Sequence, residues 1–244
     1  MTEHNQQELD LRERGAAIDG QIQYLDKRLF MQLLVIRPTG LTLDTAFDLG
    51  KSIADEKVGV VIYEDATDPL SLGVLTFSTE PLDFVDKVRK ALLGRGAGSF
   101  TVREDLTMFG RAYSTGYEDN LEYWMIGRPM ETVLNADWPW AVWYPLRRSG
   151  AFEKLEPRDK GAILREHGEI GKAYGRGDFA HDVRLACHGL DKNDNEFIIG
   201  LVGKELHPLS HIVQKMRSTR QTSEFIDQMG PFFVGRAVFR SALG

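Results

Sequence analysis

The sequence is short of several things, and each shortage removes a class of function. It has one cysteine, Cys187, so neither an internal disulfide nor a cysteine-ligated cluster can form, which agrees with a reducing, cytoplasmic setting. A buried small hydrophobe is the simpler role for that thiol. Long hydrophobic runs are also missing: the longest, at 33–36 and 58–62, fall far short of the roughly 20 residues that span a bilayer. Positive charge is not in excess either. Thirty Lys and Arg against 36 Asp and Glu leave a net charge of -6, which disfavours nonspecific nucleic-acid binding, where clustered cations must neutralise phosphates. Phosphate-binding glycine loops, a G-x-S-x-G elbow and cysteine-based zinc spacings are absent. The glycine runs at 94–98 and 175–177 lack the strand-to-helix setting those motifs need and read as turns.

The 244 residues suffice for one large domain or two small ones. Residues 1–20 are polar, with helical propensity over 7–17, and read as an extension laid on the surface. The segment 21–113 then predicts a strand (28–37), a helix from Thr42 or Asp44 through Ala54, strands at 57–63 and 72–78, a helix opened by Pro81, and a strand over 100–113. This β-α-β-β-α-β order is the ferredoxin-like pattern. After a connector at 114–137 the order returns over 138–244: strand 138–148, helix 157–174, strands 181–188 and 196–202, helix 208–227 and strand 232–239. The expected fold is therefore α+β, two ferredoxin-like units forming a dimeric α+β barrel, with helices outside and a ligand site between sheet and helix.

Chemistry-bearing residues concentrate in the second half. In the helix at 157–174, Ile163, His167, Ile170 and Tyr174 fall at i, i+4, i+7 and i+11, on one inward face. Gly168 and Gly171 each cost roughly 1 kcal/mol against Ala there, so close approach of something flat or bulky is one reason to keep them. On spacing alone His167 reads either as a metal ligand or as the commoner satisfied core histidine. All four tryptophans, including Trp143, lie within 124–143; they could be ordinary core or a wall around a planar ligand. The run Trp143-Tyr144-Pro145-Leu146-Arg147-Arg148 ends a strand with a tyrosine and two arginines, the latter suited to carboxylates or simply solvated. His207 and His211 have the i, i+4 spacing of a metal pair but lack a third ligand nearby in sequence. Asp182, Arg184, Ala186 and His188 share a strand face.

The ordered segments WYPLRR, LEPRDKGAILREHGEIGKAY, DNEFIIGLVG, IVQKMRST and GPFFVGR resemble the C-terminal half of the chlorite dismutase superfamily, above all its coproheme decarboxylase branch. The resemblance implies heme b or iron coproporphyrin (coproheme) held in 138–244, with His167 as the iron ligand. It implies Tyr144 as the tyrosine oxidised during turnover, and Arg148, less clearly Arg147, and Ser114 as propionate contacts, with Trp143 beside them. The distal side chain falls on Arg184 or Asp182 depending on the anchor, and Arg184 is preferred because a cation stabilises an anion or peroxide at iron. A carboxylate that orients the proximal histidine in the dismutases is replaced near Val202, which favours the decarboxylase. The expected reaction is peroxide-dependent decarboxylation of coproheme to heme b, with coproheme and hydrogen peroxide as substrates in a homopentamer. Chlorite dismutase-like or weak peroxidase activity on heme b, and a heme carrier or sensor, are the alternatives.

Overall fold

A computed structural model of the chain describes residues 9–94 and 99–244. Residues 1–8 of the expected surface extension and most of the 94–98 turn lie outside the described residues. The first elements depart from expectation: β1 (Glu13–Ile18) and β2 (Gln21–Leu25) form a hairpin where a helix was expected over 7–17. Asp19 and Gly20 both take positive φ, 51° and 79°, the tight-turn geometry that Asp-Gly favours, and this local signal overrides weak helical propensity. The first half continues with β3 (Phe30–Pro38), α1 (Thr45–Asp55), β4 (Gly59–Asp65), β5 (Leu72–Ser78), a wide π turn at Phe84–Val88 running into α2 (Arg89–Leu93), β6 (Phe100–Val102) and β7 (Met108–Arg111). The single strand expected over 100–113 is thus broken by a turn at Glu104–Leu106. The connector holds α3 (Arg128–Leu134).

The second half comprises β8 (Trp140–Arg148), a short α4 (Gly150–Glu153), α5 (Pro157–Arg176), β9 (His181–Ala186), β10 (Phe197–Gly203), α6 (Leu206–Met216), α7 (Arg220–Phe225), β11 (Ile226–Met229) and β12 (Phe233–Ser241). The helix expected over 208–227 therefore stops at Met216. Thr219 caps a new helix by accepting from the Thr222 N–H, as a threonine hydroxyl does at an N-cap.

Hydrogen bonding runs in the order β10-β9-β7-β3-β5-β4-β12-β8, and β8 pairs back to β10. The sheet is therefore a closed antiparallel barrel with no free edge along that path. Alternation along each strand sends one set of side chains inward. Met31, Leu33, Val61, Tyr63, Leu75, Phe77, Trp143, Val183, Leu185 and Phe233 fill the interior as one buried cluster. The opposite set meets the helices: Ile36, Val60, Ile62 and Val74 share a cluster with Leu49 and Ile53 of α1, while Val142, Tyr144, Leu146 and Leu201 share another with Leu209 and Ile212 of α6. Among the described residues no helix is long and apolar enough to cross a membrane.

The interior is filled by rings laid over glycines of neighbouring strands. A Cβ on Gly200 would stand 2.5 Å from the Trp143 ring, which its strand partner position puts directly alongside. Trp143 is fully buried and cannot move aside without disturbing the barrel. Gly200→Ala should cost about 1–3 kcal/mol through overpacking, read as a lower urea midpoint with an unchanged slope.

Candidate functional site

Three adjacent strands build one wall. Arg184 of β9 lies opposite Ile199 of β10, which lies opposite Tyr144 of β8; one step along, Asp182, Leu201 and Val142 stand in the same relation. Side chains directly opposite across a ladder share a face, so Tyr144, Arg184 and Asp182 point out of the barrel toward the helices. Arg148 follows Tyr144 by four residues on that face. Arg147 takes the alternate side and reaches the turn before β10, 3.5 Å from the Asn193 carbonyl and 3.9 Å from Asp194.

Helix α5 forms the facing wall. With Pro at its first turn and no proline after it, the helix runs for 20 residues, of which Ile163 alone is fully buried. His167, Ile170 and Tyr174 stay half-buried, although they lie on the face toward the sheet and Ile170 and Tyr174 touch the outer cluster of β8 and β10. A Cβ on Gly168 would meet nothing within 4 Å, and one on Gly171 only the Met216 Cε at 3.8 Å. Across from them the Asp182 and Arg184 side chains keep 40% and 43% of their surface accessible. Helix and sheet thus enclose a solvent-accessible cleft there instead of a closed core.

The His167 ring has a defined orientation. Its Nδ1 lies 3.4 Å from the Thr219 hydroxyl, and that hydroxyl donates its own proton to the Met216 carbonyl at 2.8 Å. Nδ1 must then be the donor, which leaves the Nε2 lone pair free, the tautomer a metal ligand requires. Burial lowers the His167 pKa, and the Arg184 charge lowers it further, against smaller opposing effects of Glu166 and Asp182. The ring is neutral at neutral pH. No carboxylate accepts from it among the described residues, and Val202 faces the barrel interior.

Tyr144 is buried and stacks on Phe232 with ring centroids 4.6 Å apart. Burial pushes its pKa up, Asp182 adds to the rise and the Arg217 cation opposes it, so it stays a neutral phenol. Arg148 is pinned: its guanidinium lies 4.6 Å from the Phe152 ring and 4.7 Å from the Phe197 ring, with Glu196 at 3.3 Å and Glu153 at 3.6 Å. Two expected contacts fall outside the cleft. Trp143 points into the barrel, because it precedes Tyr144 by one residue on a period-two strand. Ser114 donates its hydroxyl to the Arg14 carbonyl and its N–H to Glu13, tying the connector to the hairpin.

Three residues not singled out from the sequence join the site. Thr219 was hidden inside the expected long helix. Tyr113 packs its ring at a tilt 5.5 Å from that of Phe197; burial raises its pKa while Arg184 and Arg148 pull it back, and it arrives through the non-local pairing of Arg111 with Ala186. Arg128 reaches over from the connector to Asp182. Two other histidines are occupied elsewhere: His211 with the Tyr174 hydroxyl, and His181 with Asp178 while stacked 3.6 Å from Trp138.

Among the described residues no group of three or more His, Cys, Asp or Glu could hold a bare metal ion. The donor set does suit a metal that brings most of its own ligands. A single neutral histidine with a free Nε2, beside glycines over open space and facing an accessible cation, fits an iron porphyrin, whose ring supplies four nitrogens.

A closed barrel with a single-histidine cleft under a flanking helix defines the class, and the comparisons give its family. Residues 74–238 match the family model described as chlorite dismutase, so the chain belongs to the chlorite dismutase family. No curated protein sequence matches the chain. Its fold is similar to that of a heme-binding protein from Thermus thermophilus, with a TM-score of 0.69, 16% identity, and coverage of 87% of this chain and 92% of that one. A substituted chlorite dismutase from Candidatus Nitrospira defluvii in complex with cyanide gives a TM-score of 0.64 at 15% identity, covering 86% and 90%.

Because the folded His167 titrates below the ordinary 6.5, its contribution to stability is whole above pH 6.5 and is lost as pH falls from there through the folded value. Arg184→Ala removes a cation facing the ring and should move the His167 titration upward, followed by NMR of the ring protons. A titration that stays where it was would mean the two groups do not face each other.

Proposed function

We propose that the chain binds an iron porphyrin in the cleft between α5 and the face of β8, β10 and β9, with His167 as the protein ligand to iron, and catalyses peroxide-dependent decarboxylation of iron coproporphyrin to heme b. Each of two propionates, taken with one hydrogen peroxide and one proton, becomes a vinyl group, one carbon dioxide and two waters. The observation that carries this reading is a neutral, buried tyrosine on the wall opposite a histidine with a free Nε2, with Asp182 acting electrostatically on both rings.

When bound, the iron porphyrin supplies the reaction with peroxide. The chain's own residues do the rest. Thr219 fixes the His167 tautomer through Nδ1. Tyr144, holding its proton in apolar surroundings, can give up that proton together with an electron to draw a hydrogen from a propionate. Arg184 offers an accessible cation to a carboxylate or to an anion at iron. Arg148, held between two carboxylates, stiffens the wall and can reach a propionate only by leaving one of them. A cytoplasmic homopentamer goes with this reading, following the family resemblance.

One observation favours a second reading, chlorite dismutase-like or peroxidase activity on heme b: the Arg184 cation on the strand opposite the histidine helix. The absence of a carboxylate on His167 weighs against it. Oxygen release from chlorite by the heme-loaded protein distinguishes the two, and heme binding with neither product would leave a carrier or sensor.

Tyr144→Phe should leave coproheme binding unchanged and slow vinyl formation by about two orders of magnitude or more, as for a group that moves a proton in the rate-limiting step. Mass spectrometry of the porphyrin after slow peroxide addition, reading loss of two carboxyl groups, is the measurement; unchanged turnover would reject the role. His167→Ala should abolish the Soret shift on adding ferric coproheme, and a shift equal to that of the native protein would reject the ligand.

A further inference from the structure

Both candidates for the distal position stand on the same face, and they are in contact. Asp182 Oδ2 lies 3.0 Å from Arg184 Nε in an ion pair. The same carboxylate accepts from Arg128 Nη2 at 2.6 Å, and Arg128 Nη1 donates to the Asp182 backbone carbonyl at 2.8 Å. Arg128 is itself steadied over the Trp124 ring, 5.0 Å from its centroid. A connector cation, a strand carboxylate and a strand cation therefore form a chain ending at the cleft.

We propose that Asp182 is the positioning residue of this site, held by Arg128 and in turn holding Arg184 by its Nε so that the two terminal guanidinium nitrogens face the cleft. The proposal rests on the reading of the cleft as a ligand site, but its first test does not. Arg184 has about two fifths of its side chain accessible, so without a partner its long stem would sample many rotamers and lose entropy on meeting an anion. The ion pair contacts Asp182 through Nε, so Nη1 and Nη2, the paired edge that grips oxygen or halide anions, stay available. Two cations on one carboxylate also suit the balance of charge. Burial opposes ionisation of Asp182, and Arg184 and Arg128 outweigh it, holding the carboxyl below the usual range.

Positioning and simple electrostatics predict opposite signs when the carboxylate is removed. Asp182→Asn deletes a negative charge from the cleft, which alone would tighten anion binding. Loss of positioning would weaken it. The first measurement uses the full chain without porphyrin: 15N relaxation of the Arg184 Nε should report a rigid side chain in the native protein and a mobile one in Asp182→Asn, with Asp182→Glu restoring part of the rigidity. The second uses the protein loaded with ferric heme and titrated with fluoride, where Asp182→Asn should bind about tenfold more weakly, as expected for loss of one well-placed charge-assisted hydrogen bond, while Arg184→Ala binds no better than Asp182→Asn. Equal Arg184 mobility in native and variant proteins, or tighter fluoride binding in Asp182→Asn, overturns the proposal. Failure of heme to bind, with the relaxation result as expected, counts against the proposed function and leaves the positioning role standing.

Discussion

The molecule depends on the alternation of side chains along strand β8, imposed by closing the sheet into a barrel. A closed ladder has an inside too narrow for anything but side chains and an outside that must be covered. Trp143 and Tyr144 are neighbours in sequence, yet one fills the interior over Gly200 and the other faces the helices. A slip of one residue in β8 would exchange them and take Tyr144 out of the row that holds Arg184. The pairing of β8 with β10 and of β10 with β9 is what lines up Tyr144, Ile199 and Arg184 in one row.

Once that row is set, the helix opposite decides what it can do. Helix α5 is long, yet covers the sheet incompletely, because glycines stand where side chains would otherwise fill the space around His167. Two chemical consequences follow from the same geometry. The imidazole loses hydration and meets Arg184, so it stays neutral, while the Thr219 hydroxyl, already committed to the Met216 carbonyl, can only accept from it. A histidine bonded to a hydroxyl instead of a carboxylate is a less basic ligand. On the proposed reading of His167 as the iron ligand, that difference separates this site from one built to push electron density toward a bound oxidant.

Much of this was legible from periodicity. The inward face of α5 follows from the i, i+4, i+7, i+11 spacing, and the shared face of Asp182 and Arg184 from a separation of two in a strand. What was not legible is long-range. Tyr113 joins the site only because β7 meets β9 where the two halves abut, a pairing that no local pattern encodes. Arg128 belongs to a connector with no periodic link to β9. Thr219 was readable in principle, since Ser-Thr ahead of a polar turn is a capping signal, but a continuous helix over 208–227 swallowed it. Asp19-Gly20 was likewise a hairpin signal overruled by composition. Reading Trp143 as part of the ligand wall followed the clustering of aromatics in sequence, which carries no information about the side of a strand.

The two arginines near Tyr144 show why a motif cannot assign roles without partners. Arg148 lies between Phe152 and Phe197 and is already matched by Glu196 and Glu153, with its side chain only 16% accessible. To bind a propionate it must trade one of these carboxylates for another, a near-neutral exchange. Arg184 shares its single carboxylate with Arg128, so the group of three carries one net positive charge beside the cleft. An incoming anion gains from that surplus without breaking a pair, and the gain is larger where water is scarce. The free cation of the site is therefore the one on β9, and Arg148 serves to keep β8, and Tyr144 with it, in place.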